Sequence, residues 1–198
     1  MQQPVNGAME TLPTYSTQLT NDALLYELKQ QYPEYAQNGL LLINISQQRL
    51  YQIKIQSLIK THIISSASNG TGNIENSGKT PLGAHFIREK FGDGALIGSQ
   101  FKARQLTGHI PKILTNPGEQ SDGDNITSRI LWLSGLERGY NQGEGVDSYN
   151  RYIYIHGTDE EGRLGTLASH GCIRMSNQAI IDLYAMVDRS TLVYIYKQ

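Results

Sequence analysis

Alternating apolar and polar positions dominate the chain and predict a protein built mainly from strands. Leu41, Ile43 and Ile45 alternate with Leu42, Asn44 and Ser46. A Ser-Gln-Gln-Arg turn then leads into a second alternating segment at 50–55. Further strands are predicted at 61–66, within 128–137, at 151–157 and at 191–196. A period of two is typical of strands with one buried face. The pattern therefore predicts a β-rich fold.

Two segments have helical spacing instead. The first has Thr20 or Asn21 as its N-cap and ends before Pro33. The second follows Ser176 or Asn177, either of which can cap it, and repeats apolar residues every three to four positions. We expect both helices to pack on the strands and to carry no chemistry.

The domain organisation follows from these patterns. Residues 1–37 are interpreted as an N-terminal extension with a short helix, and residues 38–198 as one main domain. The 198 residues, with 20 glycines and 12 tyrosines, suit a β-rich globular domain with many turns. Residues 92–150 are the least regular part, and a loop region this long is typical of a lid or substrate wall.

The charge balance excludes some partners. The chain has 17 Lys and Arg residues against 18 Asp and Glu residues, so no bulk field attracts nucleic acid or an anionic membrane surface. No stretch approaches the roughly 20 apolar residues that span a bilayer. The first 20 residues lack the basic and apolar regions of a secretory signal. We therefore expect a cytoplasmic protein, or a periplasmic one if a signal segment has been removed.

The candidate chemistry lies between His156 and Cys172, the only cysteine in the chain. A thiol reacts as its thiolate, and its ordinary pKa of about 8.5 leaves little thiolate at neutral pH unless a base takes the proton. His156 closes a strand, and a loop containing glycines can return Cys172 beside it. An inert buried thiol and a zinc site formed with His170 are the alternatives. No Cys-x-x-Cys pair accompanies these residues, so we expect no metal.

The order His156, loop, Ser169-His170-Gly171-Cys172-Ile173-Arg174 resembles the signature of the YkuD-type L,D-transpeptidase family. That signature is a histidine, a loop, and then Ser/Thr-His-Gly-Cys-hydrophobic-Arg/Asn. The segments LLINISQQRLYQI and KTPLGAHF resemble the family's opening hairpin and its Thr-Pro-x-Gly turn. The resemblance covers roughly residues 38–197. It implies a mainly β fold, a β-sandwich of mixed sheets with a few short helices.

The resemblance also implies the roles of the reacting groups. Cys172 would attack a carbonyl and form a thioester, with His156 as its general base. The backbone carbonyl of Gly157 would orient His156. The amides of Gly171 and Cys172 would donate to the oxyanion.

Four more residues are implied to shape the pocket. Ser169 would position the turn, and His170 would line the cleft. Arg174 is a candidate either for binding a substrate carboxylate or for a structural hydrogen-bond network. Tyr154 shares the strand face of His156 and is a further candidate for the cleft.

The family resemblance implies an enzyme acting on peptidoglycan stem peptides, at the bond between meso-diaminopimelate and a terminal D-alanine. Water as the acceptor gives an L,D-carboxypeptidase of cell-wall recycling, which we favour, and an amine of a second stem gives an L,D-transpeptidase. A binding module without catalysis is the minor alternative. Carbapenems would attach to the nucleophile, and no cofactor is expected.

The remaining histidines and the single tryptophan have no motif around them. His62, His85 and His109 are interpreted as surface or capping residues. Trp132 lies within a predicted strand, and we expect it to pack in the core.

Overall fold

A computed structural model describes residues 15–54 and 57–198 of the protein, with side chains from residue 22 onward. Residues 1–14 of the expected N-terminal extension lie outside this description. Helix α1 spans Tyr15–Gln31, helix α2 spans Asn177–Met186, and a 3-10 turn spans Glu161–Arg163. The predicted start of the first helix at Thr20 or Asn21 is wrong, because α1 begins earlier. No described helix is both long enough and apolar enough to cross a membrane.

The strands in the described residues form one continuous mixed sheet, in the order β3-β2-β1-β10-β4-β7-β5-β6, with β8 on the other edge of β7 and β9 on β8. The β1–β10 and β8–β9 pairs are parallel, and the other pairs are antiparallel. The mainly β fold is thereby confirmed. The strand bounds are β1 Leu40–Asn44, β2 Arg49–Lys54, β3 Ser57–Ile63, β4 Gly83–Phe91, β5 Gln100–Lys102, β6 Gln105–Leu106, β7 Ile126–Gly135, β8 Tyr154–Thr158, β9 Ile173–Met175 and β10 Leu192–Tyr196.

The sheet curls around its main hydrophobic core. Apolar side chains of β1, β2, β4, β7, β8, β9 and β10 meet there, and Ile180 and Leu183 of α2 pack against them. A second core lies between the sheet and α1, where Leu25 and Leu28 pack on β1 and β10. Burial of these aliphatic side chains supplies most of the drive for folding, at roughly 25 cal/mol per Å².

Helix α2 begins as its sequence predicts. Ser176 is the N-cap, and its hydroxyl oxygen accepts a hydrogen bond of 3.3 Å from the amide of Ala179. This bond satisfies one of the amides that a helix leaves unpaired at its start. The cap places α2 directly after β9 and therefore directly behind the candidate site.

His62 and His85 are both buried, so their interpretation as surface or capping residues is wrong. The imidazole of His85 has two hydrogen-bond partners. Its Nδ1 donates to the carbonyl of Gly83 over 3.0 Å, and its Nε2 accepts from the hydroxyl of Ser148 over 2.9 Å. The ring thus ties the loop that precedes β8 to strand β4. Burial lowers the pKa of His85 to about 4, because the apolar surroundings disfavour the charged imidazolium.

We expect acid to weaken the fold through His85. The imidazole of His85 takes up a proton near pH 6.5 in the unfolded chain and near pH 4 in the folded chain. The stabilisation that neutral His85 gives the fold is therefore intact above pH 6.5 and is lost as the pH falls toward 4. The free energy of unfolding should drop by up to about 3 kcal/mol across that window. Chemical denaturation of wild type and His85→Gln at both pH values measures it. An equal pH dependence in the two proteins contradicts the assignment.

Candidate active site

The parallel pairing of β8 and β9 builds the site. Ile155 pairs with Ile173, and His156 pairs with Arg174. Because side chains alternate along a strand, both isoleucines enter the main core, and His156 and Arg174 lie on the opposite face. Cys172 immediately precedes β9, and its sulfur contacts the backbone of β8.

The thiol of Cys172 lies between two backbone groups. Its Sγ accepts a hydrogen bond of 3.4 Å from the amide of Tyr154 and donates one of 3.4 Å to the carbonyl of Tyr152. The residue keeps partial access to solvent, yet burial raises the pKa of the thiol to about 12. Cys172 is therefore a neutral thiol in the resting protein at neutral pH.

His156 is only 1% exposed. Its Nδ1 lies 2.7 Å from the carbonyl oxygen of Gly157. A carbonyl can only accept, so Nδ1 carries the hydrogen and Nε2 carries the free electron pair. Burial lowers the pKa of His156, although the negative charge of Asp124 opposes this effect. His156 is therefore a neutral imidazole at pH 7, in the tautomer that a general base needs.

Gly157 has no room for a side chain. A Cβ there would lie 2.7 Å from the carbonyl oxygen of Thr127 and 2.9 Å from Oδ1 of Asn177. Both distances are shorter than real Cβ contacts, so the strand that carries His156 packs tightly against its neighbours.

Within the described residues, the hydrogen-bond partners of Cys172 Sγ are Tyr152 and Tyr154, and His156 is not one of them. Cys172 and His156 thus share one face of the β8–β9 pair as two neutral groups without a preformed ion pair. The described residues contain no group of three or more His, Cys, Asp or Glu side chains placed to hold a metal ion.

The turn before Cys172 is held from two sides. The hydroxyl of Ser169 donates to the Cys172 carbonyl over 2.6 Å and accepts from the Gly171 amide over 3.3 Å. The hydroxyl of Thr80 donates to the Gly171 carbonyl over 3.0 Å. Gly171 has a φ of +136°, which side chains rarely tolerate. Its amide is engaged by Ser169 at rest, so its role toward an oxyanion stays a prediction.

Arg174 is 2% exposed and is held by two carboxylates. Its Nη2 lies 2.7 Å from Oδ1 of Asp124, and its Nη1 lies 2.7 Å from Oε2 of Glu160. Of the two roles left open by the sequence, this geometry favours the structural one, because the guanidinium charge is already compensated.

Asp124 is a site residue that sequence reasoning missed. It joins Arg174 to His170, whose Nδ1 lies 3.0 Å from the second carboxylate oxygen of Asp124. The His170 side chain is 78% exposed, whereas that of Asp124 is 23% exposed. Asp124 lies in a polar loop and comes close to Arg174 and His170 only through the fold. It is 46 positions from His170 along the chain, so no local sequence pattern marks it.

Asn177 is a second residue whose role was missed, since the sequence marked it only as a possible helix cap. Its Oδ1 accepts hydrogen bonds of 2.6 Å from the hydroxyls of both Thr127 and Ser128. Its Nδ2 donates to the carbonyl of Thr158 over 2.9 Å. The buried amide thereby ties α2 to β7 and β8 directly behind His156.

An aromatic cluster borders the thiol. Trp132 is buried, as expected, and its Nε1 donates to the carbonyl of Tyr149 over 3.0 Å. The Trp132 ring stacks on Tyr149 at 4.0 Å and meets the edge of Tyr154 at 5.5 Å. Cys172 packs against this cluster. The cluster thus forms an apolar wall beside the sulfur.

Comparison with known families agrees with the motif. The model of the YkuD family, described as the L,D-transpeptidase catalytic domain, matches residues 38–195, which is most of the chain. The chain belongs to this family. The YkuD match includes both His156 and Cys172. A comparison with curated proteins found no match.

The chain is also similar to solved structures of L,D-transpeptidases. L,D-transpeptidase 3 from Mycobacterium tuberculosis has a TM-score of 0.50 and 14% identity, and the match covers 80% of this chain and 61% of that one. The same enzyme with a faropenem-derived adduct has a TM-score of 0.49 and 15% identity, covering 80% and 60%. An L,D-transpeptidase from Xylanimonas cellulosilytica has 0.47 and 16%, covering 80% and 60%. The chain spans about three fifths of these structures.

We expect Asp124 to set the basicity of His156. The carboxylate charge raises the pKa of the imidazole, so Asp124→Asn should lower that pKa below its wild-type value. NMR titration of the His156 ring measures the change without any substrate. Asp122→Asn, an exposed neighbour on the same loop, is the matched control and should leave the His156 pKa in place. An unchanged or higher pKa in Asp124→Asn contradicts the role of Asp124.

Proposed function

We propose that this YkuD domain is a cysteine-dependent L,D-carboxypeptidase, which releases the terminal D-alanine from tetrapeptide stems of peptidoglycan fragments. L,D-transpeptidation between two stems is the alternative outcome of the same chemistry. The observation that carries the proposal is that Cys172 and His156 share one face of the β8–β9 pair, and that the carbonyl of Gly157 fixes the tautomer of His156.

In the first step, Cys172 Sγ attacks the carbonyl that joins the L-centre of meso-diaminopimelate to D-alanine. His156 Nε2 takes the thiol proton as the carbon–sulfur bond forms. The tetrahedral intermediate then collapses, the carbon–nitrogen bond breaks, and His156 returns the proton to the leaving amine. The products are free D-alanine and a thioester on Cys172.

In the second step, water attacks the thioester. His156 takes a proton from the water, the carbon–sulfur bond breaks, and the proton restores the thiol of Cys172. The released tripeptide ends in a carboxylate. In a transpeptidase, the side-chain amine of another stem would replace the water.

What supports hydrolysis over cross-linking is the position of the β5–β6 hairpin, which belongs to the irregular segment 92–150. Its Arg104 donates to the hydroxyl of Tyr154 over 3.1 Å, and the amide of Tyr154 contacts the sulfur of Cys172. The hairpin therefore lies against the residue that contacts the sulfur, and we infer that it restricts the space on that side of the thiol. Water needs little space there, whereas a second stem needs a groove of its own.

We further propose the cytoplasm as the site of action, because soluble recycled stem peptides are available to a hydrolase there. Cell fractionation with cytoplasmic and periplasmic markers tests this location. Recovery of the protein with the periplasmic marker would move it to assembled cell wall and strengthen the transpeptidase alternative.

Replacing either reacting residue should stop turnover. We expect Cys172→Ala to abolish D-alanine release and His156→Ala to reduce it almost as far, because the two side chains act as one unit and their losses do not add. Mass spectrometry after incubation with a disaccharide tetrapeptide reads the product as loss of D-alanine or as a dimer.

The product pattern separates the two activities. Loss of D-alanine without dimers supports the carboxypeptidase, and dimers at modest substrate concentration support the transpeptidase. Substantial turnover by Cys172→Ala would show that the thioester mechanism is wrong for both.

A carbapenem should acylate Cys172. The strained ring carbonyl presents the same kind of electrophile as the substrate, and its opening by the thiol gives a thioester. Intact-mass analysis should show one adduct on the wild type and none on Cys172→Ala. Absence of an adduct on the wild type after prolonged exposure would count against an accessible nucleophile.

A further inference from the structure

Arg104 occupies an unusual position at the tip of the β5–β6 hairpin. The two tip residues, Ala103 and Arg104, both have left-handed backbone conformations, with φ values of +48° and +66°. Such two-residue tips normally contain glycine or asparagine, because other residues are strained there. From this tip the Arg104 side chain lies over the aromatic cluster and keeps partial access to solvent.

The Arg104 guanidinium lies over the aromatic cluster that borders the nucleophile. Its central carbon is 4.6 Å from the ring centre of Trp132 and 5.4 Å from that of Tyr152, and its Nη1 donates to the hydroxyl of Tyr154. Both tyrosines contact the sulfur of Cys172 through their backbone atoms. Tyr154 therefore links the two groups, because its hydroxyl contacts the guanidinium and its amide contacts the sulfur.

Among the described residues, no carboxylate lies within 4.0 Å of the Arg104 guanidinium. An arginine has five N–H donors, and Arg104 uses one of them on Tyr154. The remaining donors are free to form the two parallel hydrogen bonds by which arginine binds a carboxylate.

The other arginines near Cys172 are already engaged. Arg174 is paired with Asp124 and Glu160. Arg151 donates to the backbone carbonyls of three residues of the preceding loop, Gly72, Asn73 and Lys79. Of these three arginines, Arg104 therefore keeps the most N–H donors free, because it makes a single hydrogen bond within the described residues.

We propose that Arg104 binds a carboxylate of the peptide substrate and so positions the scissile carbonyl at Cys172. This inference rests on the proposed function, in which the substrate carries two such groups close to the scissile bond. One is the terminal carboxylate of D-alanine, and the other is the carboxylate at the D-centre of meso-diaminopimelate. Both offer the same planar anion to the guanidinium.

The test compares substrates in which each carboxylate is amidated separately. With wild type, amidation of the group that Arg104 binds should raise KM by about 10- to 100-fold and change kcat little. Arg104→Gln should raise KM for the free acid by a similar factor and should no longer distinguish it from that amide. The carboxylate whose amidation raises KM for the wild type is the one that Arg104 binds.

Arg88→Gln is the matched control. Arg88 also lies over the aromatic cluster, with its guanidinium carbon 3.9 Å from the ring centre of Tyr149. Its loss should leave KM for the acid and for both amides unchanged. Arg104→Lys keeps the charge and should restore part of the preference for the acid. Equal losses on acid and amides in Arg104→Gln would show a structural role and overturn the proposal.

A second measurement does not depend on turnover. The rate of alkylation of Cys172, the single thiol of the chain, is measured with two series of N-substituted iodoacetamides. One series carries an alkyl tail that ends in a carboxylate, and the other carries a tail of equal length that ends in a neutral amide. At the tail length that reaches Arg104, wild type and Arg88→Gln should react faster with the acid, and Arg104→Gln should not. Equal rates on wild type at every length would overturn the proposal, whether or not the protein cleaves stem peptides.

Discussion

The parallel pairing of β8 with β9 is the constraint on which the site depends. A residue-by-residue register sends Ile155 and Ile173 into the main core and leaves His156 and Arg174 on the opposite face. A shift by one position would exchange these faces and put the imidazole among aliphatic side chains. The hydrophobic core therefore holds the catalytic register as well as the fold.

The site combines desolvation with local compensation of charge. Burial favours the neutral forms of both Cys172 and His156, so neither group is charged at rest. The buried charge of Arg174 is tolerated because Asp124 and Glu160 accept its hydrogen bonds. In the proposed mechanism, proton transfer from sulfur to imidazole therefore accompanies attack on the substrate and does not precede it.

The sequence predicted the parts of this protein that depend on local pattern. Alternation located most strands, and the short motif around Cys172 identified the family. It could not reveal groups that meet only through the fold. Asp124 and Arg104 come from an irregular segment without a motif, and their contacts with His170 and Tyr154 span 46 and 50 positions. His85 was misjudged because a lone histidine between strand residues carries no sign of the Ser148 hydroxyl that satisfies it.

The state of Cys172 at rest tests the account most directly. The chain has one cysteine, so the ultraviolet absorbance of its thiolate can be followed against pH, with the spectrum of Cys172→Ser subtracted to remove the tyrosines. We predict no thiolate absorbance in the substrate-free protein up to about pH 9, above the ordinary thiol pKa of about 8.5. Thiolate absorbance near neutral pH that disappears in His156→Ala would instead show a preformed thiolate–imidazolium pair and contradict the account.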